Sequence, residues 1–132
     1  MKSRIWRNLR SAPSKYKNNS SENLLREKLN YDYQILLKHL ELQFEDWMTL
    51  DNYGRGEGHW SIDHIDPISS FSITSVDCDD FKRCWALSNL RPLDDTMNVS
   101  KKHYLLPDIE RNAAKEKSTL AALLSRTYLN AQ

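Results

Sequence analysis

All three glycines of the chain fall between Gly54 and Gly58, so Asn52-Tyr53-Gly54-Arg55-Gly56-Glu57-Gly58 reads as a loop. In the next seven residues Trp60, Ile62 and His64 alternate with Ser61, Asp63 and Ile65. That period of two predicts a strand over His59–Ile65, ended by Asp66-Pro67. Upstream, Asp32 is a plausible N-cap. Leu36, Leu37, Leu40 and Phe44 then recur at helical spacing, which predicts an amphipathic helix over roughly 33–46. Downstream, the Ser/Thr/Asp-rich stretch 69–80 reads as a long connection, and Phe81-Lys82-Arg83-Cys84-Trp85 as a short helix. Leu87 to Leu93 predicts a second short strand, with Pro92 barring it from a central ladder position. Asp94 or Asp95 can cap a helix through Asn98 to about Lys102. Pro107-Asp108 opens a last helix, expected to turn Ile109, Ala113, Leu120, Leu123 and Leu124 toward the core. The expected class is α+β.

A length of 132 residues fits one domain. It divides into a basic arm at 1–29, a central unit at 30–104 and a C-terminal helix at 105–132 that packs on or extends it. Ile5, Trp6 and Leu9 give the arm one turn of helix, and Ser21 can cap a short helix carrying Leu24, Leu25 and Leu29. The longest apolar run, Leu120–Leu124, is far below the roughly 20 residues of a membrane span. Arg7 interrupts Ile5-Trp6 before any signal-peptide core develops, so a cytoplasmic location is expected. Cys78 and Cys84 are then expected to be reduced and structural. The net charge of +1 conceals an asymmetry. Residues 1–30 carry eight Lys/Arg against two acids, residues 31–80 two against eleven, and residues 81–132 nine against five. Basic ends suit a polyanion such as nucleic acid, and an acidic middle suits a divalent cation.

Three short pieces carry chemistry when read together: Asp63-His64-Ile65-Asp66-Pro67, Ser88-Asn89-Leu90-Arg91-Pro92-Leu93, and Asn98-Val99-Ser100-Lys101. Asp63 offers a carboxylate and Asn98 a carbonyl oxygen, the hard donors that Mg²⁺ takes while keeping several waters. His64 can take a proton from water near neutral pH. Adjacent strand residues point to opposite faces. Asp63 and His64 therefore share a site only if the strand end twists or a helix wraps its edge.

These three pieces resemble the HNH endonuclease family, whose fold is a ββα-metal unit. The Asp-His, Asn, Asn version is similar to the HNH domains of RNA-guided DNA nucleases. Upstream, His39-Leu40-Glu41-Leu42-Gln43-Phe44, Met48 and Asn52-Tyr53-Gly54 resemble small HNH proteins of bacteriophages. The resemblance covers about residues 30–102. It implies a ββα-metal core with flanking N- and C-terminal helices and a metal-dependent DNA endonuclease that nicks one strand. His64 would be the general base. Asn89 would hold the loop and orient His64 through the backbone. Asp63 and Asn98 would hold one divalent metal, Mg²⁺ or Mn²⁺, and Lys101 would contact phosphate. Products would carry 5′-phosphate and 3′-hydroxyl ends. Many relatives carry two Cys-x-x-Cys pairs for zinc. Here the two cysteines stand six apart, so no structural zinc is expected, and the long gap from Asp63 to Asn89 implies an insertion at 69–85.

Around this set, Lys102, Arg91 and His59 are further candidates for nucleic-acid contact, with His59 more readily read as a loop histidine. His103 either joins a phosphate-binding patch or ends a helix in solvent. Asp66 either orients His64 or a metal water, or caps a turn. His39, inside the first helix, is expected to be structural. In the basic arm Arg4, Arg7, Arg10, Lys15 and Lys17 interleave with Trp6 and Tyr16, which fits phosphate contact with stacking. DNA is the expected partner, with no membrane; a homodimer or phage packaging proteins are further candidates. The competing readings are a DNA-binding or packaging-adaptor protein that has lost catalysis, and a ribonuclease with the same site.

Overall fold

The computed structural model of the chain describes residues 25–130. Residues 1–24, which hold most of the basic arm together with Ser21 and Leu24, lie outside the described residues. One π-helical turn, Leu25–Leu29, precedes helix α1 (Tyr33–Glu41). Strand β1 (Trp60–His64) follows the glycine loop, and helix α2 (Asp79–Cys84) lies in the long connection after it. A 3₁₀ turn at Leu87–Asn89 leads into β2 (Leu90–Asp94), helix α3 (Asp95–Lys101) and the long helix α4 (Asp108–Asn130). The class is α+β. β1 and β2 form a two-stranded antiparallel sheet, with Trp60 opposite Asp94 and His64 opposite Leu90. Pro92 is tolerated because neither strand is central.

Local chemistry explains the boundaries. The Asp32 carboxylate caps α1 by accepting from Ile35 N–H at 3.0 Å. The helix ends at Glu41, short of the expected 46, because Gln43 and Phe44 fold back in tight turns onto the carbonyls of Leu40 and Glu41. There the Gln43 amide reaches the Leu90 carbonyl at 3.2 Å, and the Phe44 ring packs on Trp60 at 5.1 Å. Asp94 caps α3 through the N–H groups of Thr96 and Met97. The stretch 69–85 holds the expected short helix, begun two residues earlier at Asp79. Its helix α2 is capped by the Cys78 thiol and buries Phe81 and Cys84, while Val76 fills the core beside them.

The core gathers Leu36 and Leu40 from α1, Trp60 from β1, Phe81 and Cys84 from α2, Leu90 from β2, and Tyr53. Trp60 organises it. Its ring meets Tyr53 edge-on at 4.8 Å, and its indole N–H donates to the Thr49 carbonyl at 2.7 Å.

The C-terminal helix departs from expectation. Ile109, Leu120, Leu123 and Leu124 face outward, with Ile109 86% and Leu123 62% exposed. The buried stripe is instead Ser118, Ala121 and Ser125. Ser118 Oγ lies 2.8 Å from the carbonyls of both Leu87 and Leu90 and 3.3 Å from His39 Nε2. One and two turns earlier, Lys115 and Arg111 grip Asp66. A helix presents one stripe to its neighbour, and in α4 polar anchors with small side chains occupy it.

Two substitutions read this orientation. Leu120→Ser should change stability by less than about 0.5 kcal/mol, whereas Ser118→Leu should cost about 2 kcal/mol or more through overpacking and lost carbonyl contacts. Urea unfolding midpoints measure both.

Candidate functional site

A cleft of about 440 Å³ opens along the outer edge of β1. Asp63 and His64 line it from the end of the strand, Pro67, Ile68 and Ser69 from the turn beyond, and Asn98, Val99, Lys102 and His103 from α3 and the residues after it. Alternation along the strand holds. Ser61 and Asp63 face α3, while Trp60 and His64 pack on aromatic rings of the other face. Asp63 and His64 nevertheless share the cleft, because it runs along the strand edge and α3 wraps that edge.

His64 is held from both sides. Trp85, delivered by the end of α2, meets its ring edge-on at 4.4 Å, and the His64 carbonyl accepts from Lys101 Nζ at 2.9 Å. Its Nε2 is buried without a hydrogen-bond partner. Burial and the Lys101 charge push the imidazole pKa down to about 4, so the ring is neutral at physiological pH.

Asp63 lies between two cations. Arg91 Nε donates to Oδ2 at 2.8 Å, and Lys101 Nζ stands 3.2 Å from Oδ1. Arg91 and Lys101, candidates for phosphate contact, are thus both engaged by Asp63, and the Lys101 side chain is only 8% exposed. Burying Asp63 without them would leave an uncompensated charge. Asn98 turns its Nδ2 toward β1, where it donates to Ser61 Oγ at 2.9 Å and the Ile62 carbonyl at 3.1 Å. Its Oδ1 accepts no hydrogen bond among the described residues. Asp63 and Asn98 both line the cleft, and their carboxylate and amide are the residues there that could offer oxygen donors to a hard divalent cation. Lys101 on Asp63 Oδ1 is the charge with which such an ion competes.

Asn89 does not line the cleft. Its Oδ1 accepts from Asp66 N–H at 2.8 Å, and its Nδ2 donates to the Asp66 and Cys84 carbonyls at 3.1 and 2.9 Å. The backbone N–H of Ile65 adds a bond to the Asn89 carbonyl at 2.8 Å. The chain leaving His64 is therefore fastened at two consecutive residues. His59 sits at the far end of β1, with its Nδ1 3.1 Å from the Glu57 carbonyl, and does not line the cleft. Lys102 and His103 do line it.

Asp95 and Trp85 matter to the site although sequence patterns did not single them out for it. Asp95 is buried beneath the glycine loop, accepting from Gly56 N–H at 2.7 Å and Ser61 Oγ at 2.8 Å. Trp85 walls His64. Asp66 is neither a turn cap nor a partner of His64. Arg111 holds both its oxygens, at 2.6 and 3.0 Å, and Lys115 approaches at 2.9 Å. Arg111, with Lys115, keeps the Asp66 carboxyl at about 2. His39 lies inside the fold, 2.9 Å from the Leu90 carbonyl, and burial lowers its pKa.

The chain is similar to two uncharacterized proteins of Acanthamoeba polyphaga mimivirus. It is 36% identical to one over 93 residues, covering 70% of this chain and 39% of that relative. It is 34% identical to the other over 82 residues, covering 62% of this chain and 34% of that relative. The chain thus spans between a third and two-fifths of the length of these relatives. No family model matches the chain, and no solved structure matches it.

Two outcomes follow from the polar clamps. Asn89→Ala strands the Asp66 N–H and two buried carbonyls, and should cost about 3 kcal/mol in urea unfolding. The pH dependence of stability should have two limbs. His39 and His64 are both depressed in the fold, so the unfolded chain takes up these protons first, and stability present above about pH 6.5 declines as pH falls below that value. Asp66 is also depressed, so its contribution, present above the ordinary carboxylate value of 3.8, is lost as pH falls toward about 2. Denaturation midpoints followed with pH should show a shallower upper limb in His39→Gln and a flattened acid limb in Asp66→Asn.

Proposed function

We propose that this chain is a divalent-metal-dependent endonuclease of the HNH type that nicks DNA. The carrying observation is that Asp63, His64 and Asn98, which lie up to 35 residues apart in sequence, border one cleft. Asn89 fastens the chain behind it. The order β1, β2, α3, with Asp63-His64 at the end of the first strand and Asn98 in the helix, supports a ββα reading of this core. The viral relatives are compatible with a mobile or packaging-associated nuclease acting in the cytoplasm of a host.

In this reading a phosphodiester lies in the cleft with one of its oxygens toward Lys102 and His103. The neutral His64 ring accepts a proton from water as the water oxygen bonds to phosphorus and the bond from phosphorus to the 3′ oxygen breaks. Trp85 and Lys101 keep the ring and its backbone in place, and Asn89 prevents the following turn from shifting. Asp63 and Asn98 would hold Mg²⁺ or Mn²⁺, which when bound supplies charge neutralisation at the phosphate and the departing 3′ oxygen.

The test is a supercoiled-plasmid assay with Mg²⁺. Wild type should convert supercoiled to nicked circle, EDTA should abolish this, and His64→Ala should slow it by about a hundredfold or more. Asn98→Ala should raise the metal concentration required. Equal behaviour of wild type and His64→Ala would overturn the reading and favour a DNA-binding or adaptor role; cleavage of RNA alone would reassign the substrate.

A further inference from the structure

α3 ends at Lys101, and Lys102 takes a left-handed backbone conformation, φ +48°, uncommon for a side chain of that size. The turn is closed by the Tyr104 N–H on the Lys101 carbonyl at 2.9 Å. Two consecutive rings follow the turn. His103 and Tyr104 lie with centroids 5.0 Å apart and planes inclined by 32°. Tyr104 is 64% exposed, so its ring belongs to no core. His103 also lines the cleft, beside Lys102. An exposed aromatic surface thus continues directly from the cationic rim of the proposed phosphate site.

From this arrangement we propose that the His103–Tyr104 pair is a stacking ledge for a nucleobase adjoining the phosphate held in the cleft. This rests on the nucleic-acid reading of the cleft and deepens it by naming the form of substrate. A base paired inside a duplex offers its face only to its neighbours in the stack. A base resting on Tyr104 has left that stack, so the ledge selects single-stranded or locally opened polynucleotide. Aromatic rings interleaved with cations are the combination that binds single strands, the ring taking the base and the cation the phosphate. The positive charge of Lys102 and the continuity with the cleft favour this occupant over a protein surface, for which the exposed pair offers no enclosing pocket.

The experiment uses the full chain and a single-stranded oligonucleotide carrying one 2-aminopurine, with a duplex of the same sequence as comparison. Binding is followed by anisotropy and stacking by 2-aminopurine fluorescence, both in EDTA, where no cleavage is needed. The single strand should bind more tightly than the duplex and its fluorescence should be quenched. Tyr104→Ala should weaken single-strand binding about tenfold and remove the quenching, while Tyr104→Phe and Tyr104→Trp retain both. The Tyr104→Ala loss should persist at raised salt, whereas a Lys102→Ala loss should shrink there. Unchanged single-strand binding or unchanged quenching in Tyr104→Ala overturns the ledge, as does failure of wild type to bind either oligonucleotide. A protein that binds and quenches but never nicks plasmid would refute the nuclease and keep the ledge. One that nicks, with Tyr104→Ala binding normally, would refute the ledge alone.

Discussion

The Asn89 side chain is the fastening on which the other parts depend. One amide joins the end of α2, the turn after β1 and the entrance to β2, through the Cys84 carbonyl and both backbone groups of Asp66. A neutral amide suits this place, because it both accepts and donates without the cost of burying charge. A carboxylate there could not donate to the two carbonyls, and an ammonium could not accept from the N–H. Since β2 starts at the residue after Asn89, the bond network also helps set where the second strand begins pairing with the first.

A second polar cluster joins the helices to the sheet. The Leu90 carbonyl is met by His39 Nε2, Gln43 Nε2 and Ser118 Oγ at 2.9, 3.2 and 2.8 Å. Those side chains come from α1, the turn after it and α4. Buried networks of this kind favour one relative placement of the packed elements, because any slide leaves a polar atom without a partner. The outward-facing leucines of α4 follow from the same cause. Ser118, Arg111 and Lys115 determine which side of the helix faces in, and hydrophobicity along the rest of the helix yields to them.

Much of the local structure was legible in the sequence, for physical reasons. Residues Trp60 to His64 alternate because the two faces of β1 meet different surroundings. Asp32 and Asp94 stand where a carboxylate caps a helix. The three chemical pieces were visible because each is short and carries its own residue types. What escaped depends on pairing between distant parts of the chain. Arg91 and Lys101 resemble free cations until the register sets Arg91 across from Asp63 and α3 brings Lys101 to its other oxygen. Arg111 and Asp66 are 45 residues apart, and nothing local links them. Trp85 has no signature as the wall of His64, since its place depends on how the insertion folds back. The helix boundary at Glu41 escaped because Gln43 answers to a carbonyl on another element.

Two-stranded sheets usually leave a row of backbone groups on which a further strand can grow. The outer edge of β1 is treated differently. Its carbonyls at Trp60, Ile62 and His64 are taken in turn by Gly54 N–H, the Asn98 amide and the Lys101 ammonium. Side chains of α3 thereby stand in for much of the missing neighbour strand, and they do so along the very border where the cleft opens. Asn98 therefore both protects the edge against intermolecular sheet growth and walls the cleft, while Lys101 covers the edge beside it. A change that empties the Asn98 position removes part of the cleft wall and also uncovers a template for self-association.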